Sequence, residues 1–221
     1  EQEEQAEASV GSHGTTLHRN DRGRQGVGGD HSPIFTLVTC QCKVRGMTTY
    51  HHGALRRAVL DRALEIIATS GPERLSLRAL AADLGVSHTA PRHHFGSRDG
   101  LLTAIATEGF DLLADALVAT RESGAGFQEV GVAYVDFGVA HPAHFAVMFN
   151  PELLHDDPEL DRASGRAFGE LRDGVERLRE GGQIDDAPAA VIAAWSLVHG
   201  LTTLALSGNL ARAKLDGEPA A

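Results

Sequence analysis

Cysteine is nearly absent: Cys40 and Cys42 are the only two in 221 residues. A disulfide scaffold and a four-cysteine zinc site are both excluded, and a reducing, cytoplasmic setting is expected. Aromatic residues are scarce at 5%, with a single Trp. Basic side chains number 20 against 30 acidic ones, a formal net charge of −10, which taken whole argues against a polyanionic partner. Strand-like alternation of any length is missing, so the expected fold class is all-α. No His-Glu-X-X-His, nucleophile elbow or phosphate loop occurs. A small metal-dependent hydrolase, the alternative raised by 12 His, therefore lacks support, and no catalytic residue, metal or cofactor is expected. What is present is 42% hydrophobic residue, enough to bury a core at this length.

The charge is unevenly spread. Residues 1–49 carry 5 basic and 6 acidic side chains, residues 50–100 carry 7 and 5, and residues 101–221 carry 8 and 19. A weakly positive middle that also holds five His can face a polyanion while the acidic C-terminal part repels one. Residues 1–48 read as a disordered leader rich in Gln, Glu, Gly, Ser and His. Its one apolar run, Ile34 to Val38, is too short for a secretory segment. Met47, just before the first periodic helix, is read as the natural start, and Cys40-Gln-Cys42 as too few ligands for a metal site.

From Tyr50 the pattern changes. Leu55, Val59, Ala63, Ile66 and Ile67 share one helical face, and Gly71-Pro72 ends that helix. Ser76 is expected to cap a short helix carrying Leu77, Leu80, Ala81 and Leu84. Gly85 closes it, and Ser87 is expected to cap a third helix ending near Phe95, with Pro91 at its fourth position. Two short helices around a Gly-containing turn are either a helix-turn-helix that lays its second helix in a major groove or a plain three-helix core.

These residues carry a family resemblance. Gly85-Val-Ser87, Ala90-Pro91, His94-Phe95 and Ser97-Arg98-Asp99-Gly-Leu-Leu102 resemble the N-terminal domain of TetR-type transcriptional regulators. Trp195-Ser-Leu-Val-His199-Gly200 resembles the Trp-His-Gly signature of one TetR ligand-binding subgroup. The chain departs from the family at Arg92 and His93, where Tyr and then a basic residue are usual; Arg serves a backbone phosphate with stronger charge. The resemblance implies DNA contacts by Ser87, His88, Thr89 and Arg92 at the start of the recognition helix. Arg78 is expected to reach a phosphate from the preceding helix, and Arg98 to meet an anion at the next helix N-terminus. Tyr50 and His51 are placed on the DNA backbone at the chain entry. His93 and His94 either meet phosphate or pack.

The implied organisation is a DNA-binding domain over 49–97 and a helical ligand-binding and dimerisation domain over 98–221. A long helix to about 122, with Leu101, Ile105, Leu112 and Leu117 buried, links them. Further helices are expected over 127–140, 142–149 and from Asp157-Pro158 to about 180. Between Asp186 and Arg212 lie 25 residues without formal charge, long enough to test as a membrane span. Pro188, His199, Gly200 and several hydroxyls argue instead for a homodimer interface. Phe145, Met148, Phe149, Phe168, Trp195 and His199 are the candidate lining of a pocket for a small, mainly apolar effector, with ordinary core as the other reading. His141 and His144, at i and i+3, lack a third metal ligand. The leading reading is a repressor whose dimer binds double-stranded operator DNA, at half-sites roughly 34–36 Å apart, and is released by ligand. A protein-binding module whose head has lost DNA affinity is the third alternative.

Overall fold

The computed structural model describes residues 52–213, and the expectations for residues 1–48, Tyr50 and His51 lie outside the described residues. The first helix, α1 (His52–Ser70), buries Val59, Leu60, Ala63 and Ile67 on one face. It stops at Gly71, whose φ of 81° turns the chain into the 3-10 turn Pro72–Arg74. Helix α2 (Leu77–Asp83) buries Leu80 and Ala81 against α1 and α3. It closes in a Schellman motif: Gly85 N–H donates to Ala82 and Val86 N–H to Ala81, at 3.1 and 3.0 Å, with Gly85 at φ +64°.

Helix α3 (Ala90–Phe95) begins two residues later than expected, and Thr89 rather than Ser87 is its N-cap. Proline is the reason. A helix from Ser87 would hold Pro91 in its fourth position. Starting at Ala90 puts the ring in the first turn, where no intrahelical amide is needed. Ser87 to Ala90 form a separate turn, Ala90 N–H donating to Ser87 O at 2.9 Å, and the Ser87 and Thr89 hydroxyls pair at 3.0 Å.

Helix α4 (Arg98–Glu122) is capped by the Ser97 hydroxyl, which accepts from Gly100 N–H at 2.9 Å. Its buried stripe advances in steps of four through Leu101, Ile105, Gly109, Leu113 and Leu117. Leu112, expected inside, falls one position off that stripe and is 37% exposed, whereas Leu113 is 2% exposed. α4 is the central helix, packed on α7 (Pro158–Glu180), α6 (Pro142–Met148) and α5 (Phe127–Ala140). Phe149 caps α6 instead of extending it, and a second 3-10 turn, Pro151–Leu153, follows. Asp157 starts α7 by accepting from Glu159 N–H at 2.8 Å and Leu160 N–H at 3.2 Å. Asp186 likewise starts α8 (Ala187–Leu206), accepting from Ala189 N–H at 3.0 Å. A short α9 (Asn209–Arg212) ends the described chain. All elements among the described residues are helical, as the absent alternation foretold.

One apolar core runs from Val59, Leu80 and Phe95 through Leu101, Leu102 and Ile105 to Phe110, Tyr134 and Val147. The helix-turn-helix end and the helical body therefore share α4 as a common wall. Gly100 permits the tightest approach: a Cβ there would stand 2.0 Å from Phe95 O. Polar bonds join the same parts. Arg57 of α1 donates to Glu108 of α4 at 2.5 Å, and His144 Nε2 of α6 lies 3.1 Å from the same carboxylate.

Candidate nucleic-acid interface and body cavity

Among the described residues, the helix-turn-helix carries two arginines that no other side chain engages. Arg56 lies over the Phe95 ring at 5.3 Å. Arg57 is bound to Asp61 and Glu108, and Arg62 to Glu65 and Asp83. Arg78 of α2 and Arg92 of α3 are exposed and make no hydrogen bond or ion pair with another described residue. With His88 and Ser97 they line an open concavity of about 560 Å³. Ser87, His88 and Thr89 are exposed on the turn that enters α3, and His93 is exposed beside Arg92. His94 is half-buried, its ring tilted against Phe95 at 6.3 Å.

Arg98 is placed differently from the expectation of an anion contact. Its Nε donates to Leu75 O at 3.2 Å and its Nη2 to Pro72 O at 2.7 Å, while Nη1 meets Asp99 at 3.4 Å. The fork is spent on stitching α4 to the turn before α2. It lines the concavity and fixes the turn that leads into α2, the helix that presents Arg78.

In the body a cavity of about 70 Å³ lies between α4, α5, α7 and α8, walled by Phe110, Phe127, Tyr134, Phe149, Phe168 and Trp195 with aliphatic neighbours. An open groove of about 420 Å³ adjoins it through the shared rings of Phe110, Phe149, Phe168 and Trp195. Met148, Ser196 and His199 line the groove, and Pro151 and Leu154 of the segment after α6 border it. That segment is pinned to α4: His155 N–H donates to Thr103 Oγ1 at 3.2 Å, and the Thr103 hydroxyl lies 3.0 Å from His155 Nδ1. Of the six residues expected to line a pocket, five do so. Phe145 does not. It is buried core, stacked on His199 at 5.1 Å and edge-on to Tyr134 at 6.2 Å, because α6 turns it toward α5 and α8.

Tyr134, which the sequence reading did not single out, is the polar centre of this wall. Its hydroxyl lies 2.9 Å from His199 Nδ1. Burial pushes the phenol well above its ordinary value, and burial pushes the His199 imidazole down. The phenol therefore stays protonated and the imidazole neutral, and when the phenol donates to Nδ1 the ring carries its proton on Nε2. The Trp195 indole N–H is buried without a hydrogen bond of acceptable geometry. It nevertheless lies close enough to Tyr134 to draw the phenol slightly back. Groups of His, Cys, Asp and Glu able to hold a metal do not occur among the described residues.

Two family matches divide along the same line. Residues 59–105 match the bacterial regulatory proteins of the tetR family, and residues 127–221 match the tetracyclin repressor-like C-terminal domain. The chain is a TetR-family transcriptional regulator. A 28% identical relative over 174 residues is the HTH-type transcriptional repressor Rv1474c of Mycobacterium tuberculosis, aligned over 76% of this chain and 87% of that protein. A solved protein of unknown function from Rhodococcus sp. RHA1 is 35% identical with a TM-score of 0.64, covering 78% of this chain and 90% of its own. AibR, solved with isovaleryl coenzyme A and operator DNA, shares the fold at 18% identity and a TM-score of 0.54, over 67% of this chain and 85% of its own. The TetR N-terminal match begins in α1 and ends in α4, and so contains the whole helix-turn-helix and the free Arg78 and Arg92.

Proposed function

We propose that this TetR-family regulator is a cytoplasmic repressor whose homodimer binds double-stranded operator DNA and is released by a small, mainly apolar effector. The observation that carries the reading is the sharing of α4. Its first turns support the helix-turn-helix through Arg98, Leu101 and Leu102, and its middle supplies Phe110, Leu113 and Leu117 to the cavity wall. An effector that fits the cavity better in one setting of α4 than in another shifts the heads by that difference in affinity alone. AibR, solved with both an acyl thioester and operator DNA, is a precedent in the same fold.

In this reading the DNA-binding part covers residues 49–97, and Arg78 and Arg92 take phosphates. Ser87, His88 and Thr89 reach base edges or backbone, and His93 and His94 flank them. The effector and dimer part covers 98–221, and Trp195, His199 and Gly200 are its Trp-His-Gly signature. The dimer uses α8. Leu197, 72% exposed, shares one face of that helix with the exposed Leu201 and Leu204, and Ile192 is 65% exposed nearer its start. α8 is also long and apolar enough to cross a membrane. A second copy is the occupant that suits a DNA-binding chain, since two heads on a two-fold axis read two half-sites.

The test is fluorescence anisotropy of full-length protein on duplex DNA from upstream of its own gene, at two salt concentrations, with Arg92→Ala alongside. Saturable binding far tighter than to random DNA is expected. The substitution should weaken binding and lower the log-log salt slope by about 1. Binding no tighter than to random DNA, both here and in a genome-wide fragment selection, overturns the reading in favour of a protein-binding module.

A further inference from the structure

We infer that the body site takes an uncharged, largely hydrocarbon molecule bearing a hydrogen-bond-accepting oxygen, a ketone or ester by class, held at that oxygen by the Nε2–H of His199. The inference rests on the effector reading above and narrows its chemistry.

Charge is excluded by the walls. Neither the cavity nor the groove is lined by Asp, Glu, Lys or Arg. A carboxylate or ammonium moved between these rings would lose its hydration without gaining a counter-charge. Size comes from the two compartments together. An apolar cavity of about 150 Å³ accepts benzene, so the inner space of about 70 Å³ accepts a shorter alkyl end. The bulk of the molecule then lies in the open groove beyond the rings of Phe149, Phe168 and Trp195.

Besides the Ser196 hydroxyl in the groove, polarity comes from one relay. The Tyr134 hydroxyl and His199 Nδ1 are 2.9 Å apart, and with the phenol as donor the neutral imidazole keeps its proton on Nε2. His199 borders the groove, and Nε2 makes no hydrogen bond to another described residue. A donor held in one tautomer beside an apolar groove selects an acceptor and penalises a second donor. Phe145 stacked on the ring at 5.1 Å and Phe149 set edge-on at 4.7 Å hold the imidazole plane, so Tyr134 and the two Phe act as positioning residues.

The chain reports on its own site, because Trp195 is its single tryptophan. The experiment titrates full-length protein with 2-alkanones from four to nine carbons, with toluene as hydrocarbon, and with heptanoate and heptylammonium as charged counterparts. Trp195 fluorescence and calorimetry are both read. Saturable binding of a mid-length ketone is expected, with the charged probes at least about tenfold weaker. His199→Phe should lower ketone affinity about fivefold to tenfold and leave toluene unchanged. His199→Gln, which keeps an N–H donor, should recover part of the loss, and Tyr134→Phe should lose part of the ketone preference.

Charged probes binding as tightly as ketones, a ketone-to-toluene ratio untouched by His199→Phe, or the absence of any saturable response overturns the inference. A ratio that falls with Trp195→Phe instead assigns the donor to the indole and also overturns it. Release from DNA is measured separately, by anisotropy at saturating ketone. Binding without release leaves the ligand class standing and removes the effector reading. Release by a charged compound without ketone binding does the reverse.

Discussion

Glu108 receives Nη1 of Arg57 from α1 and Nε2 of His144 from α6, and so ties three helices at one carboxylate. The His144 hydrogen bond and then Arg57 hold its carboxyl down to about 2, against an ordinary value of 4.5. A carboxyl lowered by folding stabilises the fold fully above its unfolded value, and that stabilisation is lost as pH falls from 4.5 toward 2. Glu108→Gln is expected to lower stability at pH 7 by about 1–3 kcal/mol. Its melting temperature should fall less steeply between pH 5 and 2 than that of the wild type, as calorimetry across that range would read. Gly100→Ala, which drives a methyl group into Phe95 O, should cost about 1–3 kcal/mol; an unchanged denaturant midpoint would contradict the close approach. At this scale the rare residues were legible. Phe149, Phe168 and Trp195 stand out in a chain poor in rings, and they meet at the cavity. Tyr134 was not legible, because Phe127, Val130, Tyr134 and Phe137 repeat at core spacing and its partner His199 is 65 residues away. Nor was the engagement of Arg98, whose acceptors are backbone carbonyls 23 and 26 residues earlier.

Among the elements, the caps wrote their own boundaries. Ser97, Asp157 and Asp186 each take amides of the first turn, and Gly71 and Gly85 each supply the positive φ that ends a helix. The start of the helix over 158–180 was therefore readable to the residue, while Gly124 and Gly126 before it and Pro142 after it bounded the one over 127–140. The start of α3 was not, since Ser87 and Thr89 are both competent caps and the choice is made by Pro91. Three-residue 3-10 turns are too short to show a period, and Leu112 fails because the stripe of α4 steps by four where the reading took seven between Ile105 and Leu112. Gly85→Ala is expected to destabilise by about 1–2 kcal/mol, the cost of a left-handed L-residue. It should also weaken DNA binding by shifting Arg92 against Arg78; equal melting temperature and affinity would show that the Schellman turn does not set the angle.

On the scale of the molecule, net charge alone misleads. The −10 chain puts most of its acid beyond residue 100 and ties Arg57 and Arg62 to carboxylates, leaving Arg78 and Arg92 unspent on the helix-turn-helix. The partition of charge was legible; which arginines remain free was not, because that depends on side chains brought together by folding. Oligomeric state is tested by Leu197→Glu. Sedimentation is expected to move to the monomer mass, with operator affinity reduced at least tenfold and the helical content unchanged. A dimer that persists would place the interface elsewhere.

The continuity of the core has a thermal consequence. α4 is 25 residues long, about 37 Å at helical rise, and both of its ends are packed in one uninterrupted apolar cluster. The DNA-reading end cannot melt while the body stays folded without tearing Leu101, Leu102 and Ile105 from shared neighbours. Heat should therefore unfold both in a single calorimetric transition whose van't Hoff and measured enthalpies agree for each cooperative unit. On the proposed reading, an effector's signal must pass along α4 itself, since both ends of that helix are held in the same cluster.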